Sequence, residues 1–305
     1  MNPEPLPNSN APAAGGDGLA LADPPAAGLN RRRRWTGRFP PALLVGMVMA
    51  ASVTLVAVFA PVIAHYSPTQ ITQDLLARPT AAHIFGTDRL GRDVFSRVVT
   101  ASQVSLGVAL LASVAALSMG TAMGVSAGYL GAWLDTVITR ILDLLLAFPP
   151  ILFAIALVAA LGPSTQNLIL TLAILFSPRF ARLARGSTLS VKERDYIASA
   201  KALGASRLRI IRVHILPNIA APLIVEMSLT MSIALLTEAA LSFLGLGIQP
   251  PQPSWGGMIS SARPTMIEAP WAALFPGLAI MFSVLAFNFL GDGLREVFDP
   301  RLRQL

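Results

Sequence analysis

Residues 98–134 have the sequence VVTASQVSLGVALLASVAALSMGTAMGVSAGYLGAWL, which contains no Asp, Glu, Lys or Arg. Residues 39–64, 144–178 and 269–291 lack these charged residue types as well. Because about 20 apolar residues in a helix cross a bilayer, each run is long enough for at least one membrane span. Only 13% of the 305 residues are charged and 54% are hydrophobic, too few charges to cover a soluble protein of this length. We therefore predict an all-α membrane protein.

Six transmembrane helices fit these apolar runs. The run at 144–178 is divided at Gly162-Pro163-Ser164, because glycine and proline both end helices, and its two halves are then antiparallel. An even number of spans places both chain ends on the same side of the membrane. The predicted spans are residues 41–64, 102–128, 141–161, 165–186, 218–245 and 270–291.

The positions of Lys and Arg orient this topology. Of the 23 such residues, 18 fall in segments that the six spans place on the side of the chain ends. The other five are Arg78, Arg89, Arg92, Arg97 and Arg263. Since cytoplasmic segments carry the excess of basic residues, both termini are predicted to be cytoplasmic. The net charge of +7 is then a property of the membrane flanks, and no nucleic-acid partner is predicted.

The chain shows no evident metal or nucleotide site. It contains no cysteine, which excludes disulfides and cysteine-ligated metals, and its histidines, His65, His83 and His214, are not clustered in sequence. No Gly-x-x-x-x-Gly-Lys-Ser/Thr phosphate loop is present. Energy for any active transport must therefore come from a partner or from an ion gradient.

Three glycines recur at every fourth position of the second predicted span. Gly120, Gly124 and Gly128 lie on one helix face, where they let another backbone approach closely. The pattern fits plain helix packing better than a helix that lines a pathway, although both interpretations remain open.

A basic amphipathic insert, residues 195–218 (DYIASAKALGASRLRIIRVHILPN), separates two apolar spans and falls on the cytoplasmic side. It is predicted to form two short helices joined at Gly204, since glycine adopts the left-handed conformation that ends helices. Tyr196, Ala200 and Leu203 share one face of the first helix. The insert can either dock on a partner or lie on lipid headgroups, and its periodicity alone does not separate the two.

Glu226 is the most unusual residue of the predicted spans. It lies eight residues beyond Asn218, about 12 Å into the fifth span at 1.5 Å per residue. A carboxylate at that depth is costly unless it is paired, protonated or hydrated. A role in a translocation path and a structural hydrogen bond are both open. Glu238 is expected to be structural and to position the bend at residues 241–247.

The insert resembles the cytoplasmic EAA loop of binding-protein-dependent ABC importer permeases. In that pattern Glu-Ala-Ala is followed after three residues by Gly and, after nine more, by Ile-x-Leu-Pro. The matching residues here are Ala198-Ser199-Ala200, Gly204 and His214-Ile215-Leu216-Pro217. The sequence His-Ile-Leu-Pro-Asn is typical of the dipeptide/oligopeptide/nickel branch, and of its second, C-type permease in particular.

Other segments resemble the same branch and occur in the same order. They are Phe85-Gly86-Thr87-Asp88-Arg89-Leu90-Gly91-Arg92-Asp93, Glu238-Ala239-Ala240-Leu241-Ser242-Phe243-Leu244-Gly245-Leu246-Gly247, Ser254-Trp255-Gly256 and Gly291-Asp292-Gly293-Leu294-Arg295. The similarity extends from about residue 60 to residue 303, and several ordered motifs make it specific.

The resemblance implies the type I ABC importer permease fold, with a cytoplasmic helix-turn-helix coupling loop. The implied segments are a disordered cytoplasmic tail with a basic cluster at 1–38, a first transmembrane helix at 39–66, a periplasmic segment at 67–98, a type-1 permease core at 99–293 with its coupling loop at 187–217, and a cytoplasmic tail at 294–305. The protein would reside in the bacterial inner membrane, surrounded by lipid.

The resemblance also implies partners and a substrate class. A homologous second permease, two cytoplasmic ABC ATPases and a periplasmic substrate-binding protein would complete an importer for di- or oligopeptides, or for nickel or glutathione. This chain would be no enzyme and would bind no cofactor and no metal, because the partner ATPases use the ATP and Mg. An alternative function, an ion-gradient-driven secondary transporter with Glu226 as its coupling acid, would need neither a docking loop nor these partners.

In such importers the first loop helix docks on a cytoplasmic ATPase and transmits its motion to the spans. The residues implied in this coupling are Glu193, Asp195, Tyr196, Ala198, Ser199, Ala200, Leu203, Gly204 and Ala205. The chain departs from the pattern at Ala198, which cannot supply the usual carboxylate. Glu193 or Asp195, five and three residues upstream, is the hypothetical substitute.

Overall fold

The computed structural model of the protein describes residues 40–298, and the regular elements in that range are helices, with one isolated antiparallel bridge between Thr87 and Asp93. The helices are α1 (Pro41–Val58), α2 (Ala60–Ile63), α3 (Val94–Leu130), α4 (Ala132–Leu146), α5 (Pro150–Leu161), α6 (Thr165–Lys192), α7 (Asp195–Ala202), α8 (Arg207–Arg209), α9 (Leu216–Phe243), α10 (Trp255–Ala262) and α11 (Trp271–Phe298). A π-helical turn, Ile210–Ile215, joins α8 to α9, and a 3₁₀ turn, Arg263–Thr265, follows α10. The predicted all-α fold is confirmed.

Five of these elements are long and apolar enough to cross a membrane: α1, α3, α6, the continuous helix Arg207–Phe243 and α11. The pair α4 and α5 passes the same test only when its two helices are taken together. The described residues therefore contain six candidate spans if that pair counts as one, which is the number predicted from the apolar runs.

The predicted third span at 141–161 falls on a bent pair of helices. The chain forms α4 and α5 there, with their axes 95° apart. The cause is Pro149-Pro150: neither residue has a backbone N–H to donate to the preceding turn, so α4 ends at Leu146 and Pro150 begins α5.

The ends of the first two spans also differ from their predicted boundaries. α1 ends at Val58 rather than near residue 66, because Pro61 cannot donate to the Ala57 carbonyl. α3 begins at Val94, five residues before the predicted core boundary at 99. There the Asp93 carboxylate accepts a hydrogen bond of 2.7 Å from the backbone N–H of Ser96 and so caps the helix.

The last helix continues five residues past the predicted boundary at 293. Residues 294–298 (LREVF) contain no glycine or proline, so nothing in them stops a helix, and α11 extends to Phe298. The predicted tail at 1–38, its basic cluster and residues 299–305 lie outside the described residues.

The centre of the fold is the long contact between α3 and α6. A methyl group at Gly120 would overlap the Ser177 carbonyl oxygen, and one at Gly124 would overlap that of Ala181. At Gly128 it would come within 2.9 Å of the Thr188 side chain. The three glycines thus lie where two helix backbones approach closely, the arrangement that small residues permit between membrane helices.

The segment between α2 and α3 folds over the ends of the spans that the predicted topology places outside. The Phe85 ring stacks on Phe275 of α11 with ring centroids 3.8 Å apart, and Trp271 Nε1 donates to the Thr87 carbonyl at 3.1 Å. Arg97 of α3 donates to the Pro68 carbonyl at 2.7 Å. These contacts join the outer ends of α3 and α11 through a single ordered cap.

Candidate functional site

The predicted coupling loop begins with a sharp turn between α6 and α7. α6 continues to Lys192, so the first residues of the predicted loop at 187–217 still belong to this helix. Arg194 has extended backbone angles (φ −78°, ψ 142°), and it turns the chain away from the membrane helix. α7 starts immediately afterwards, with Asp195 in its first turn, where a carboxylate interacts favourably with the helix dipole.

Gly204 ends α7 through a Schellman motif. Its φ is +77°, and its N–H donates to the Lys201 carbonyl at 3.0 Å. The Ala205 N–H donates to the Ala200 carbonyl, also at 3.0 Å. This 6→1 and 5→2 pair satisfies the last free carbonyls of the helix and fixes the angle at which the chain continues into α8.

α7 is attached to the rest of the fold by one buried side chain and two ring contacts. Ile197 is fully buried, and α7 packs against the π-helical turn Ile210–Ile215. The ring of Tyr196 lies 6.1 Å from that of His214 in this turn. At the other end, Lys201 Nζ lies 5.9 Å from the ring centroid of Tyr129, in the last turn of α3, within the range of a cation–π interaction. α7 thus contacts both α3 and the start of α9.

The outer face of α7 is exposed and built largely from small side chains. The predicted coupling residues Glu193, Asp195, Tyr196, Ala198, Ser199, Leu203 and Gly204 are all exposed, and Ala200 and Ala205 are half-buried. The side chain of Leu203 is the extreme case, with 88% of its surface open to solvent. Within residues 40–298 neither Glu193 nor Asp195 forms an ion pair within 4 Å.

The second half of the loop differs from the prediction of a separate short helix. α8, the π-helical turn and α9 form one continuous helix, Arg207–Phe243. Pro217 lacks the N–H group that ordinary i→i−4 bonding would use, and the wider π-helical turn lies just before it. The second half of the predicted loop is therefore continuous with the fifth span.

Two ion pairs fix α4 across the end of α6 that the predicted topology places in the cytoplasm. Asp135 accepts hydrogen bonds from Arg185 Nε and Nη2 at 2.5 and 2.7 Å, and Asp143 accepts one from Arg182 Nη2 at 2.8 Å. The bidentate Asp135–Arg185 pair has the geometry that makes guanidinium–carboxylate contacts strong. The start of the coupling loop therefore rests on a braced helix end.

Glu226 and Glu238 have different surroundings although both lie in α9. Glu226 is half-buried and lines an open cavity of about 340 Å³, together with Leu183 and Arg295. Glu238 is fully buried, and its Oε1 accepts a hydrogen bond of 2.7 Å from Ser242 Oγ. Ser242 Oγ in turn accepts from the Ile248 N–H at 3.3 Å, so Glu238 supports the bend after α9 as the sequence suggested.

Sequence reasoning missed the anchors of the coupling helix. It assigned Tyr196, Ala200 and Leu203 to one helix face but did not identify Ile197 as the residue that holds α7 in place. A signal was available, because Ile197 is the only aliphatic residue larger than Ala in Asp195–Ala202. The Lys201–Tyr129 contact joins residues 72 positions apart, and no local pattern indicates it.

Comparison with known proteins places this arrangement in a family. The binding-protein-dependent transport system inner membrane component family matches residues 120–304. The dipeptide transport system permease protein DppC of Alkalihalophilus pseudofirmus is 48% identical over 261 residues, which cover 85% of this chain and 86% of that protein. The glutathione transport system permease protein GsiD of Pectobacterium atrosepticum is 47% identical over 225 residues, or 74% and 75% of the two chains. DppC of Haemophilus influenzae is 41% identical over 268 residues, or 86% and 91%.

A solved structure shows the same fold at lower sequence similarity. The inward-facing MetNI methionine ABC transporter contains a chain that matches with a TM-score of 0.54 and 17% identity, covering 67% of this chain and 97% of its own. At this identity the likeness concerns the fold alone. The match over residues 120–304 and the relatives at 41–48% identity show that the chain belongs to the family of binding-protein-dependent transport system inner membrane components, with the type I ABC importer permease fold.

Proposed function

We propose that this chain is one of two membrane subunits of an ATP-driven importer in the bacterial inner membrane, with both termini in the cytoplasm. Its substrates are proposed to be di- or oligopeptides, or a related small solute such as glutathione or nickel. The relatives named for dipeptide and glutathione transport support this class. The observation that carries the proposal is the exposed helix α7, which is held on the spans by Ile197 and leaves its small-residue face open.

The proposed role of α7 is to dock on a cytoplasmic ATPase. Small side chains such as Ala198 and Ser199 let a partner approach the helix backbone closely, and the exposed Leu203 offers an apolar side chain at its end. Transferring a leucine side chain from water into an apolar contact contributes about 2 kcal/mol. Leu203 is therefore expected to be a principal contributor to docking.

The electrostatic part of this contact is proposed to come from Glu193 and Asp195. Both carboxylates are exposed, Glu193 directly after α6 and Asp195 as the first residue of α7, and both lack an ion-pair partner within residues 40–298. They lie five and three residues before Ala198, where the family pattern has its acid. A basic side chain on the ATPase could pair with either of them.

The remaining partners follow from the same proposal. A homologous second permease would complete the pathway through the membrane, and a periplasmic binding protein would deliver the substrate. Two ATPase subunits would bind ATP and Mg and hydrolyse the nucleotide, so that this chain performs no covalent chemistry. The relatives offer no support for the alternative of a gradient-driven secondary transporter with Glu226 as its coupling acid.

Two exposed leucines on either side of Gly204 test the docking proposal. Leu203→Ala is expected to reduce at least tenfold the amount of ATPase that copurifies with the permease pair, since about 2 kcal/mol of apolar contact is lost. Leu208→Ala removes an equally large side chain with 55% of its surface exposed, and it should leave copurification unchanged. Copurification would be measured from detergent-solubilised membranes at equal permease levels.

Uptake measurements distinguish this function from the alternative. The wild-type transporter should take up a dipeptide in a vanadate-sensitive manner and without a proton or sodium gradient. Equal ATPase recovery with Leu203→Ala and Leu208→Ala would remove α7 as the docking helix. Vanadate-insensitive, gradient-dependent uptake would instead support the secondary transporter.

A further inference from the structure

Three charged side chains from three different helices gather near the cytoplasmic end of the spans. They are Arg179 of α6, Glu226 of α9 and Arg295 of α11, and both guanidinium groups are close enough to interact electrostatically with the Glu226 carboxylate. Arg179 and Arg295 are exposed and Glu226 is half-buried. The sequence pattern pointed only to Glu226, because the three positions are widely separated along the chain.

Two of these charges lie within the depth of the hydrocarbon layer. At 1.5 Å per residue, Arg179 is about 21 Å along α6 from Thr165, and Glu226 is about 26 Å along α9 from Phe243. Both helices start or end at the outer side in the predicted topology, and the hydrocarbon core is about 30 Å thick. Arg295, close to the end of α11, lies at about the inner interface.

Two of these groups, Glu226 and Arg295, line a cavity. It has a volume of about 340 Å³, with apolar walls that include Leu183, Ala221 and Val225 and with Glu226 and Arg295 among its polar groups. This volume is within the range of small-molecule sites in proteins, which combine apolar walls with a few polar groups. A second open cavity, of about 490 Å³, shares Leu183 and Pro222 with it and extends toward the coupling loop.

The charges are available to a ligand. Within residues 40–298 none of the three side chains forms an ion pair within 4 Å. Exposed charges at membrane depth do not face lipid acyl chains, because they require water or a partner of opposite sign. The face that carries Arg179, Glu226 and Arg295 is therefore a hydrated face of the subunit rather than its lipid boundary.

We propose that Arg179, Glu226 and Arg295 form a transient binding site for the two charged ends of a small zwitterionic peptide inside the permease. Guanidinium groups bind carboxylates through strong charge-assisted hydrogen bonds, so the two arginines receive the peptide carboxylate. Glu226 is negatively charged and receives the α-ammonium group. This site deepens the proposed function on which it rests, since it gives the permease its own contribution to substrate recognition beyond that of a binding protein.

Because the chain contains no cysteine, Ala221→Cys places its single reactive thiol in the cavity. The complete transporter, coexpressed with its partner subunits, would be exposed in inside-out vesicles to an anionic or a cationic methanethiosulfonate reagent. Labelling is measured by mass spectrometry, as the increase in the mass of this chain. We expect both reagents to react, the anionic one faster, and the dipeptide Ala-Ala to slow labelling while N-acetyl-Ala-Ala-amide, without charged ends, does not.

Charge variants in the Ala221→Cys background assign the effect to individual side chains. Arg179→Gln and Arg295→Gln should each lower the ratio of anionic to cationic labelling rates about a hundredfold, because one charge about 10 Å away at an effective dielectric constant near 20 changes the two rates by about tenfold each and in opposite directions. Glu226→Gln should raise the ratio by a similar factor. Arg140→Gln removes an exposed arginine of α4 and should change nothing. Each of the three site variants should also weaken protection by Ala-Ala.

The outcomes separate this site from the proposed function. If Ala221→Cys does not assemble with the ATPase, Val225→Cys, at another lining position, replaces it. Absence of labelling at both positions, rate ratios that the charge variants leave unchanged, or equal protection by the charged and the blocked peptide would each overturn the site. If ATPase copurification and vanadate-sensitive uptake persist in those cases, the importer function stands without it; if they are absent in the wild type, the function itself fails.

Discussion

At the scale of single residues, Gly204 determines how the coupling helix ends. Its φ of +77° lies in the left-handed region, and nothing lies within 4 Å of the position that a Cβ atom would occupy. Gly204→Ala therefore introduces backbone strain without a steric clash, at a cost of about 1–2 kcal/mol. We expect faster hydrogen exchange for the amides of residues 195–205 in this variant, measured by mass spectrometry on the purified protein.

Two further variants calibrate the Gly204 result. Gly204→Asn should exchange much as the wild type does, since asparagine tolerates the left-handed conformation better than other non-glycine residues. Gly186 also has open space around it but lies in the interior of α6 without a positive φ. Gly186→Ala should be neutral or stabilise the protein by about 0.5–1 kcal/mol. Unchanged exchange in Gly204→Ala would show that the Schellman turn does not control the stability of α7.

At the scale of elements, the contact between α3 and α6 depends on glycines placed one helical turn apart. Gly124→Ala would put a methyl group against the Ala181 carbonyl oxygen and 2.8 Å from the Ala184 Cβ atom. Overpacking of this kind costs about 1–3 kcal/mol, because the helices must separate. We expect a lower midpoint of unfolding by SDS titration in mixed micelles. Gly107→Ala is the matched control on the same helix, since no atom lies within 4 Å of its Cβ position; an equal loss of stability in both variants would contradict the packing role.

The elements also show which parts of the fold could be predicted from the sequence. The spans were predictable because uncharged runs and the membrane thickness determine them almost alone. The 95° bend between α4 and α5 was not predicted, although Pro149-Pro150 marks its position. Hydropathy measures only how apolar a run is, whereas the bend arises because proline lacks the N–H group that a straight helix needs. The cation–π contact of Lys201 with Tyr129 and the charge cluster around Glu226 depend on tertiary packing, and a single sequence carries no signal for them.

At the scale of the whole molecule, the predicted coupling loop is in contact with two spans at once. α7 contacts the last turn of α3 through Lys201, and it packs against the π-helical turn that leads into α9. α3 packs closely on α6, and the helix Arg207–Phe243 is continuous through the turn. α7 therefore rests on α3 and on the helix Arg207–Phe243, and the latter lines the cavity near Glu226.

This geometry predicts that charge reversal at the start of α7 uncouples the transporter while leaving the membrane part intact. The double variant Glu193→Lys, Asp195→Lys changes two exposed carboxylates that have no ion-pair partner within residues 40–298, so folding and insertion should be unaffected. Binding to a basic site on the ATPase would become repulsive, and we expect ATP-dependent dipeptide uptake in proteoliposomes to fall at least tenfold. Glu193→Gln, Asp195→Asn should show an intermediate loss, because it removes attraction without adding repulsion. Glu296→Lys, at an exposed position near the end of α11, should transport normally; undiminished uptake by the double reversal would mean that these carboxylates do not replace the acid missing at Ala198.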